Sequence, residues 1–590
     1  MSVASSSSTE GAAPLAPRSA RVRLTATWLV APGLAFLAVF FLYPVASLLF
    51  LSVTDPEGGG WSLRSFARIA STDVYLRVLG ITFRVAGSTA VLSLLIGYPL
   101  AYWIASLSEA VRNRALLFVV VPFWTSYLVK TFAWMLILGR NGVINKLLMG
   151  AHVVDGPLPL LQNEFGVMVG MVHSMVPLAV ITMLPVLTSI DRRLVSAAQT
   201  LGASPSHAFW MVYFKLSLPG VTAAGLLVFI SSLGFFIVPA FLGGPQQTML
   251  AQLIITQISE LLNWSFAGAL AVMMLATALA AFWIYDRVFG MSSISGGASV
   301  ETDGKLRRVG IEALALLASA SEALAAGARA VLGRRVTAGL LPAASWLIIA
   351  FLVLPTLLVI PIGFTSSEFL SFPPPGYSVR WFDTYFSSPL WIAATLRSFG
   401  VAFATALVST VIGAAAAIAL AGSRTRFGGA IFAFFLAPMI VPRVVIAVGM
   451  FYLFARLGLV ATNTGLVIGH SVLALPFTVV TVTAILKTYD PRLDQAAATL
   501  GANRARTLAY VTVPIIRGGL VAAFLFAFIT SFDELTIAIF ISGGIATTLP
   551  KQMWDDMILQ LNPTLAAVST VVFVVVTALL LVAQRLRRTA

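Results

Sequence analysis

The 590-residue chain contains no cysteine, so disulfides, thiolate nucleophiles and cysteine metal sites are excluded at the outset. Charge is scarce as well, with Asp, Glu, Lys and Arg making up only 10% of residues. Histidine occurs four times, as His152, His173, His207 and His470, and no HExxH or similar ligand spacing joins them. They read as loop or helix-packing residues. No nucleophile, base and metal constellation is present, which disfavours a membrane-embedded enzyme. The nearest approach to a phosphate-cradling Walker A loop is Gly304-Lys305, where Ser299 replaces the first glycine and Leu306 the required Ser or Thr. Hydrolysis of ATP within this chain has no support.

What is abundant is apolar residues, 59% of the total, with a mean hydropathy of +0.96. Soluble domains run at about 45–50% apolar, and a lipid bilayer is the solvent that needs no polar covering. A bilayer core about 30 Å thick asks for about 20 apolar residues per helix. Counting such runs predicts spans over 26–52, 80–105, 115–138, 166–187, 219–242 and 266–285, and again over 342–364, 394–421, 429–455, 465–486, 518–541 and 564–584. The run from Leu24 to Val53 is too long for a signal-peptide core and lacks a small-residue cleavage site, so it is taken as the first span.

The formal charge of +15 is spread in short groups between apolar runs, a pattern that fits membrane topology and not nucleic acid. Arg18, Arg21 and Arg23, Arg112 and Arg114, Arg192 and Arg193, Arg334 and Arg335, Arg424 and Arg426, Arg504 and Arg506, and the tail Arg585, Arg587 and Arg588 all fall on one side if both termini are cytoplasmic. Residues 1–22, rich in Ser, Ala and Pro, read as a disordered cytoplasmic tail. Between the two sets of six spans, residues 286–340 begin Gly/Ser-rich and continue Ala-rich with Lys305, Arg307, Arg308 and Arg329. That mixture suits either a helix lying on the inner leaflet or a plain tether.

The halves repeat each other. Trp61-Ser-Leu-Arg-Ser-Phe66 recurs as Tyr377-Ser-Val-Arg-Trp-Phe382, and Ile96-Gly97 and Pro122 recur as Ile412-Gly413 and Pro438, at an offset of 316. Pro177 matches Pro476, Gly202 matches Gly501 and Asn263 matches Asn562 at 299. Two units of the same orientation, related by a pseudo-two-fold along the membrane normal, follow from this. The drop from 316 to 299 places 17 extra residues in the first unit between Pro122 and Pro177, most simply in an outer loop around Gly139 to Phe165. That loop is a candidate contact for an extracytoplasmic partner.

The stretch after the fourth span of each unit carries the most information. It reads Asp191-Arg-Arg-Leu-Val-Ser-Ala-Ala-Gln-Thr-Leu-Gly202 and Asp490-Pro-Arg-Leu-Asp-Gln-Ala-Ala-Ala-Thr-Leu-Gly501. Asp191 and Asp490 stand where an N-cap belongs, Pro491 fits the first helical position, and the glycines suit the left-handed residue that ends a helix. About ten residues at 1.5 Å each span roughly 15 Å, too short to cross a bilayer. Leu194, Ala197, Ala198 and Leu201 form one apolar stripe at i, i+3, i+4 and i+7, and Leu493, Ala496, Ala497 and Leu500 repeat it. Either stripe alone could pack on the chain's own bundle. Two at equivalent positions point to a symmetric pair of sockets on another protein.

These residues resemble the EAA loop of ABC importer permeases, E-A-A, three residues, G, nine residues, I-x-L-P. The second copy is Gln495-Ala496-Ala497, Gly501, then Val511-Thr-Val-Pro514. The first is Ser196-Ala197-Ala198, Gly202, then Val212-Tyr-Phe214, with Lys215 where the family has proline. Both copies lack the glutamate. The resemblance implies an all-α integral membrane fold of the type I importer, or MetI-like, kind: twelve transmembrane helices in two tandem six-helix permease halves, 23–285 and 341–590, joined by 286–340. It also implies that Leu194, Ser196, Ala197, Ala198, Leu201 and Gly202, with Leu493, Gln495, Ala496, Ala497, Leu500, Gly501 and Pro514, couple the chain to a cytoplasmic ABC ATPase homodimer. That partner would use ATP and Mg, this chain holding no cofactor, and a periplasmic or extracytoplasmic solute-binding protein would deliver the solute. The membrane implied is the bacterial cytoplasmic (inner) membrane.

Val121-Pro-Phe-Trp-Thr-Ser-Tyr-Leu-Val-Lys-Thr-Phe-Ala-Trp134 and Ser232-Leu-Gly-Phe-Phe-Ile-Val-Pro-Ala-Phe-Leu-Gly-Gly-Pro245 are similar to the first permease of spermidine/putrescine-type importers. Ala437-Pro-Met-Ile-Val-Pro442 and Ser531-Phe-Asp-Glu534 are similar to the second, so both permeases would be fused here. Fused permeases for ferric iron or thiamine are the alternative within the class, and a twelve-span ion-coupled secondary transporter is the alternative outside it.

Ionised groups at mid-bilayer cost about 2.5–3.5 kcal/mol, so each needs a reason. Asp533 and Glu534 fall in the predicted eleventh span, opposite Gly234 and Phe235 of the first unit. They form either an acidic wall for a small cationic solute such as a polyamine or structural carboxylates paired to a base such as Lys130. Lys130 and Arg443 are the other charges inside predicted spans, while Arg84 and Arg397 lie close enough to the surface to snorkel. Trp124, Tyr127 and Trp134 form either a cation-accepting wall or ordinary packing.

Overall fold

The computed structural model describes residues 28–54, 60–289, 304–422, 427–544 and 546–589. The tail 1–22 with its arginines, residues 290–303 of the connection, and Arg424 and Arg426 lie outside the described residues. The chain is all-helical apart from three isolated bridges among the described residues. Among the described residues eleven helices are long and apolar enough to cross a membrane: Ala31–Leu51, Asp73–Ser106, Glu164–Ser189, Pro205–Leu233, Trp264–Ile284, Gly339–Gly363, Pro389–Gly422, Asn463–Leu486, Arg504–Phe532 and Thr564–Val582, with Leu314–Val331 inside the connection as the eleventh. Two bent pairs, Glu109–Trp124 with Tyr127–Gly150 and Gly428–Ile440 with Arg443–Leu457, stand at the predicted third and ninth spans, so that twelve helices or pairs match the predicted twelve and the helix of the connection is additional.

The duplication is visible in the element boundaries. Arg64–Ser71 and Arg380–Ser387 start and end 316 residues apart, while Arg193–Thr200 and Arg492–Thr499 do so at 299. Side-chain caps repeat too: Asn163 Oδ1 accepts from the Gly166 N–H at 2.9 Å, and Thr462 Oγ1 from the Gly465 N–H at 3.0 Å, each closing an open helix end. The extra residues of the first unit fall where they were expected, as the helix Val143–Gly150 and the segment after it. Asn145 holds that segment, donating to the Gly139 and Leu158 carbonyls at 3.1 and 3.0 Å and accepting from the Leu158 N–H at 2.8 Å. The second unit makes the same connection with two left-handed residues, Gly458 at φ +67° and Ala461 at φ +59°.

Spans two, four and five pack together in the first unit, and spans eight, ten and eleven in the second. The first span of each unit then crosses to the other. A Cβ on Gly449 would come within 2.8 Å of the Pro44 carbonyl, so only a glycine lets the first span lie that close to the ninth. Conversely the seventh span lies on the first unit, where the Trp103 and Trp346 rings meet edge-on and His173 Nε2 is 3.1 Å from the Leu352 carbonyl. His173 and His470 are both buried among helices.

Two expectations change. The predicted spans 115–138 and 429–455 are not straight: they bend by 91° and 95°. In each, the chain leaves the helix at an extended residue, Thr125 or Val441, and re-enters it at Tyr127 or Arg443. The predicted spans 219–242 and 518–541 likewise end early, at Leu233 and Phe532, and resume as the short helices Ile237–Leu242 and Thr536–Ile541. Hydropathy measures how far an apolar run extends and is blind to its direction.

The connection is helical from Gly304 and runs into the seventh span through a non-helical Gly333 at φ +77°. It touches the fifth span's start: Glu322 Oε2 accepts from Ser204 Oγ at 2.8 Å and pairs with His207 Nδ1 at 3.3 Å, and Trp210 Nε1 donates to Ser321 Oγ at 3.0 Å.

Candidate functional site

Two places concentrate the candidate residues. The first is the pair of short helices Arg193–Thr200 and Arg492–Thr499. Each starts two residues after its aspartate, so Pro491 precedes the helix and does not open it, but the capping bond is made. Asp191 Oδ1 accepts from the Arg193 N–H and Asp490 Oδ1 from the Arg492 N–H, both at 2.9 Å. Gly202 and Gly501 end the helices at φ +94° and +85°, with nothing within 4 Å of where a Cβ would stand. Backbone conformation, not crowding, asks for glycine there.

The apolar stripes are not used by the bundle. Leu201 and Leu500 are 89% and 88% exposed, Leu194 and Leu493 are exposed, and Ala197 and Ala496 stand open beside Ser196 and Gln495. Ala198 and Ala497 are half-buried. Each of the two short helices thus presents an exposed leucine pair that the described residues leave uncovered. Behind them the halves differ. Asp494 accepts from the Tyr489 hydroxyl at 2.5 Å and from Thr512 Oγ1 at 3.0 Å, tying the second helix to the root of the eleventh span. Burial and then the bond to Asp494 hold the Tyr489 phenol protonated above its ordinary range. In the first unit Val195 packs among apolar neighbours in that place.

The second place is the centre of the molecule, where the four chain breaks meet in pairs across the pseudo-two-fold. A Cβ on Gly234 would lie 3.2 Å from Pro442 Cβ, so the break after span five sits on the bend of span nine. Asp533, at the break after span eleven, lies beside Ser126 and Tyr127 at the bend of span three. Between the breaks lies a cavity of about 190 Å³, and Tyr127, Gly234, Arg443 and Asp533 all line it. Most of the remaining lining is apolar, including Phe123, Met175 and Leu473.

Of the five residues proposed for a solute path, Tyr127 and Asp533 line this cavity and the others do other work. Glu534 is 1% exposed, accepts from the Ile537 and Ala538 N–H groups at 2.9 and 3.2 Å, and lies 3.5 Å from His470 Nε2. It caps its own short helix and faces away from the cavity. Lys130 is also 1% exposed; its Nζ donates to the Pro122 carbonyl at 3.2 Å and stands 4.1 Å above the Tyr127 ring. It makes no ion pair within 4 Å of Asp533, which lies beside Ser126 and the start of the Tyr127–Leu138 helix. Trp124 stacks on Phe526 at 5.3 Å, and Trp134 is buried against His173 and Phe351. A continuous aromatic wall is absent among the described residues, and packing accounts for both tryptophans.

Arg84 and Arg397 are also engaged, Arg84 with Glu164 at 3.2 Å, and Arg397 with Asn463 at 3.1 Å and the Thr547 carbonyl at 3.2 Å. Arg443, which sequence reasoning noted without a role, is exposed, lines the cavity and has no hydrogen-bond or ion-pair partner among the described residues. The signal available in the sequence was its position, 316 residues after Tyr127.

Residues 93–289 and 409–589 each match the family described as the binding-protein-dependent transport system inner membrane component. The chain belongs to that family. This permease is an ABC importer subunit that carries the family's domain twice in one chain. Among its relatives, the spermidine/putrescine transport system permease protein PotB of Haemophilus influenzae is 27% identical over 258 residues, 43% of this chain and 90% of that protein. PotC of the same organism is 28% identical over 244 residues, 41% of this permease and 94% of the relative. PotC of Escherichia coli K12 is 27% identical over 258 residues, 44% and 96% of the two chains. Each relative is matched nearly whole by less than half of the permease. Among solved structures, a bacterial alginate ABC transporter in complex with an alginate pentasaccharide-bound periplasmic protein aligns at 16% identity and a TM-score of 0.38, covering 48% of this chain and 98% of that one.

Proposed function

We propose that this permease forms the complete transmembrane pathway of an ABC importer for a small solute bearing a positive charge, with polyamines the first candidates. Two copies of a cytoplasmic ATPase bind the exposed stripes of Arg193–Thr200 and Arg492–Thr499, and their closure rocks the two units about the central cavity. A soluble extracytoplasmic protein delivers the solute, with the ordered insertion Gly139–Phe165 as one contact. Both termini lie in the cytoplasm, as the arginine distribution favours.

The observation that carries the reading is the matched exposure of Leu201 and Leu500 on two capped helices that none of the described residues covers. The polyamine preference is supported by the PotB and PotC relatives and by Asp533 in the cavity wall. Proteoliposomes holding the permease, its ATPase and its binding protein should take up labelled putrescine only when ATP is inside with the ATPase. Accumulation by the permease alone, driven by an ion gradient, would move it to the secondary transporters. ATP-driven uptake of some other solute would leave the coupling intact and remove the polyamine.

A further inference from the structure

The four cavity-lining positions at the chain breaks are equivalent in pairs: Tyr127 with Arg443, and Gly234 with Asp533. The first unit supplies two neutral residues and the second supplies one charge of each sign. The two charges are differently placed. Asp533 lies across the unit boundary beside Ser126 and the start of the helix Tyr127–Leu138. At the equivalent contact Gly234 lies against Pro442 and the Arg443 backbone, and having no side chain it brings no carboxylate to the helix Arg443–Leu457. Arg443 faces the cavity, exposed and with no hydrogen-bond or ion-pair partner among the described residues, its charge reaching Asp533 and Glu534 only through space.

We infer that the cavity is a zwitterion site, in which Arg443 receives an acidic group of the solute while Asp533 faces its amine. This rests on reading the cavity as part of the solute path, and among the small positively charged solutes it favours, over the polyamines, an amine that also carries a carboxylate or an acid of similar geometry. A guanidinium offers planar paired donors to such a group, and the solute's acid fills the place that a second aspartate would have taken by symmetry. The cavity, about 190 Å³, is smaller than the roughly 300–1,000 Å³ of drug-sized ligand sites, as a short aliphatic solute requires.

Three four-carbon probes separate the possibilities at constant length: putrescine with two ammonium groups, 4-aminobutyrate with one ammonium and one carboxylate, and succinate with two carboxylates. Thermal stabilisation of the purified full-length chain is measured with each, for the native protein and for Arg443→Gln and Asp533→Asn. The zwitterion should stabilise the native protein most. Arg443→Gln should lower its apparent affinity at least about tenfold and move the preference to putrescine, while Asp533→Asn should move it to succinate. If putrescine stabilises best and Arg443→Gln leaves that unchanged, the solute-path reading stands and the zwitterion site is overturned. If no probe stabilises any of the three proteins, both are overturned. Opposite shifts in preference from two variants also answer a purely structural role, because a loosened fold would weaken all three probes alike.

Discussion

Residues 191–202 and 490–501 share an aspartate cap, two turns of helix, an exposed leucine at each end of the stripe and a terminal glycine at positive φ, and differ on the exposed face only at Arg192/Pro491, Ser196/Gln495 and Gln199/Ala498. The residues around the central cavity agree in position and in nothing else, since Tyr127 and Gly234 stand where the other unit has Arg443 and Asp533. Both regions descend from the same duplication. The difference is what the proposed function asks for: two copies of one ATPase subunit would present the same socket twice and hold the two knobs to one pattern, whereas a solute with unlike ends would leave the cavity walls free to diverge.

The largest effect should come from breaking that sameness. Leu201→Arg with Leu500→Arg places two charges on the exposed stripes, and substitutions at surface positions like these change fold stability by about 0.5 kcal/mol or less. Loss of an interface hot spot costs about 2 kcal/mol, roughly thirtyfold in affinity for each knob. Uptake and permease-dependent ATP hydrolysis should fall to background while the protein still reaches the membrane at normal levels, as a quantitative blot of washed membranes would register. Normal uptake by the double variant would end the coupling assignment. A single variant that behaves like the double would show that both sockets must be filled for one stroke.

Much of this architecture was legible in the amino-acid sequence because its signals are local. Apolar runs gave twelve spans, the repeat offsets gave two units and the position of the insertion, and Asp191, Asp490 and two glycines marked the short helices. What escaped has one physical cause, that it depends on residues far apart in the chain. The bends at Thr125 and Val441 sit inside unbroken apolar runs, with Pro442 the one hint, so length was right and direction was not. Asp533 looked like half of an acidic wall because the bend it lies against, at Ser126 and Tyr127, belongs to the other unit. Glu534 looked like the other half because its capped N–H groups follow a break that hydropathy does not register. Arg443 could be singled out only once Tyr127 and Gly234 were found around the same cavity.

The packing of the halves can be compared at Gly97 and Gly413, equivalent residues in spans two and eight. A Cβ at Gly97 would meet Ala179, Val180 and Met183 at an ordinary 3.5 Å, whereas one at Gly413 would fall 2.1 Å from Thr478 Oγ1 and 2.9 Å from its Cβ. That hydroxyl is already committed, donating toward the Ser409 and Leu475 carbonyls at 3.0 and 2.8 Å, so it cannot turn aside without loss. Gly413→Ala should therefore destabilise by about 1–3 kcal/mol through overpacking. Gly97→Ala should be neutral or stabilising, because alanine is favoured over glycine in a helix by about 1 kcal/mol. Melting temperatures of the two purified variants compare them directly, and equal shifts would mean that the eighth and tenth spans are looser than their contact distance implies.

The smallest effect concerns how each knob is braced from behind. The second relies on Asp494, which gathers Tyr489 and Thr512, and the first has the connecting helix, through Glu322 with Ser204 and His207. The Glu322 and His207 side chains are 45% and 39% exposed, and pairs this accessible contribute about 0–1 kcal/mol. Glu322→Ala should leave the melting temperature nearly unchanged and lower permease-dependent ATP hydrolysis less than Asp494→Ala, which strands two hydroxyl donors at the root of a span. An effect of Glu322→Ala equal to that of Asp494→Ala, at unchanged stability, would give the connection a share in transmitting the stroke. The absence of any effect would leave it as a strap that holds two units in one chain, with the first knob held in place by Val195 and its apolar neighbours alone.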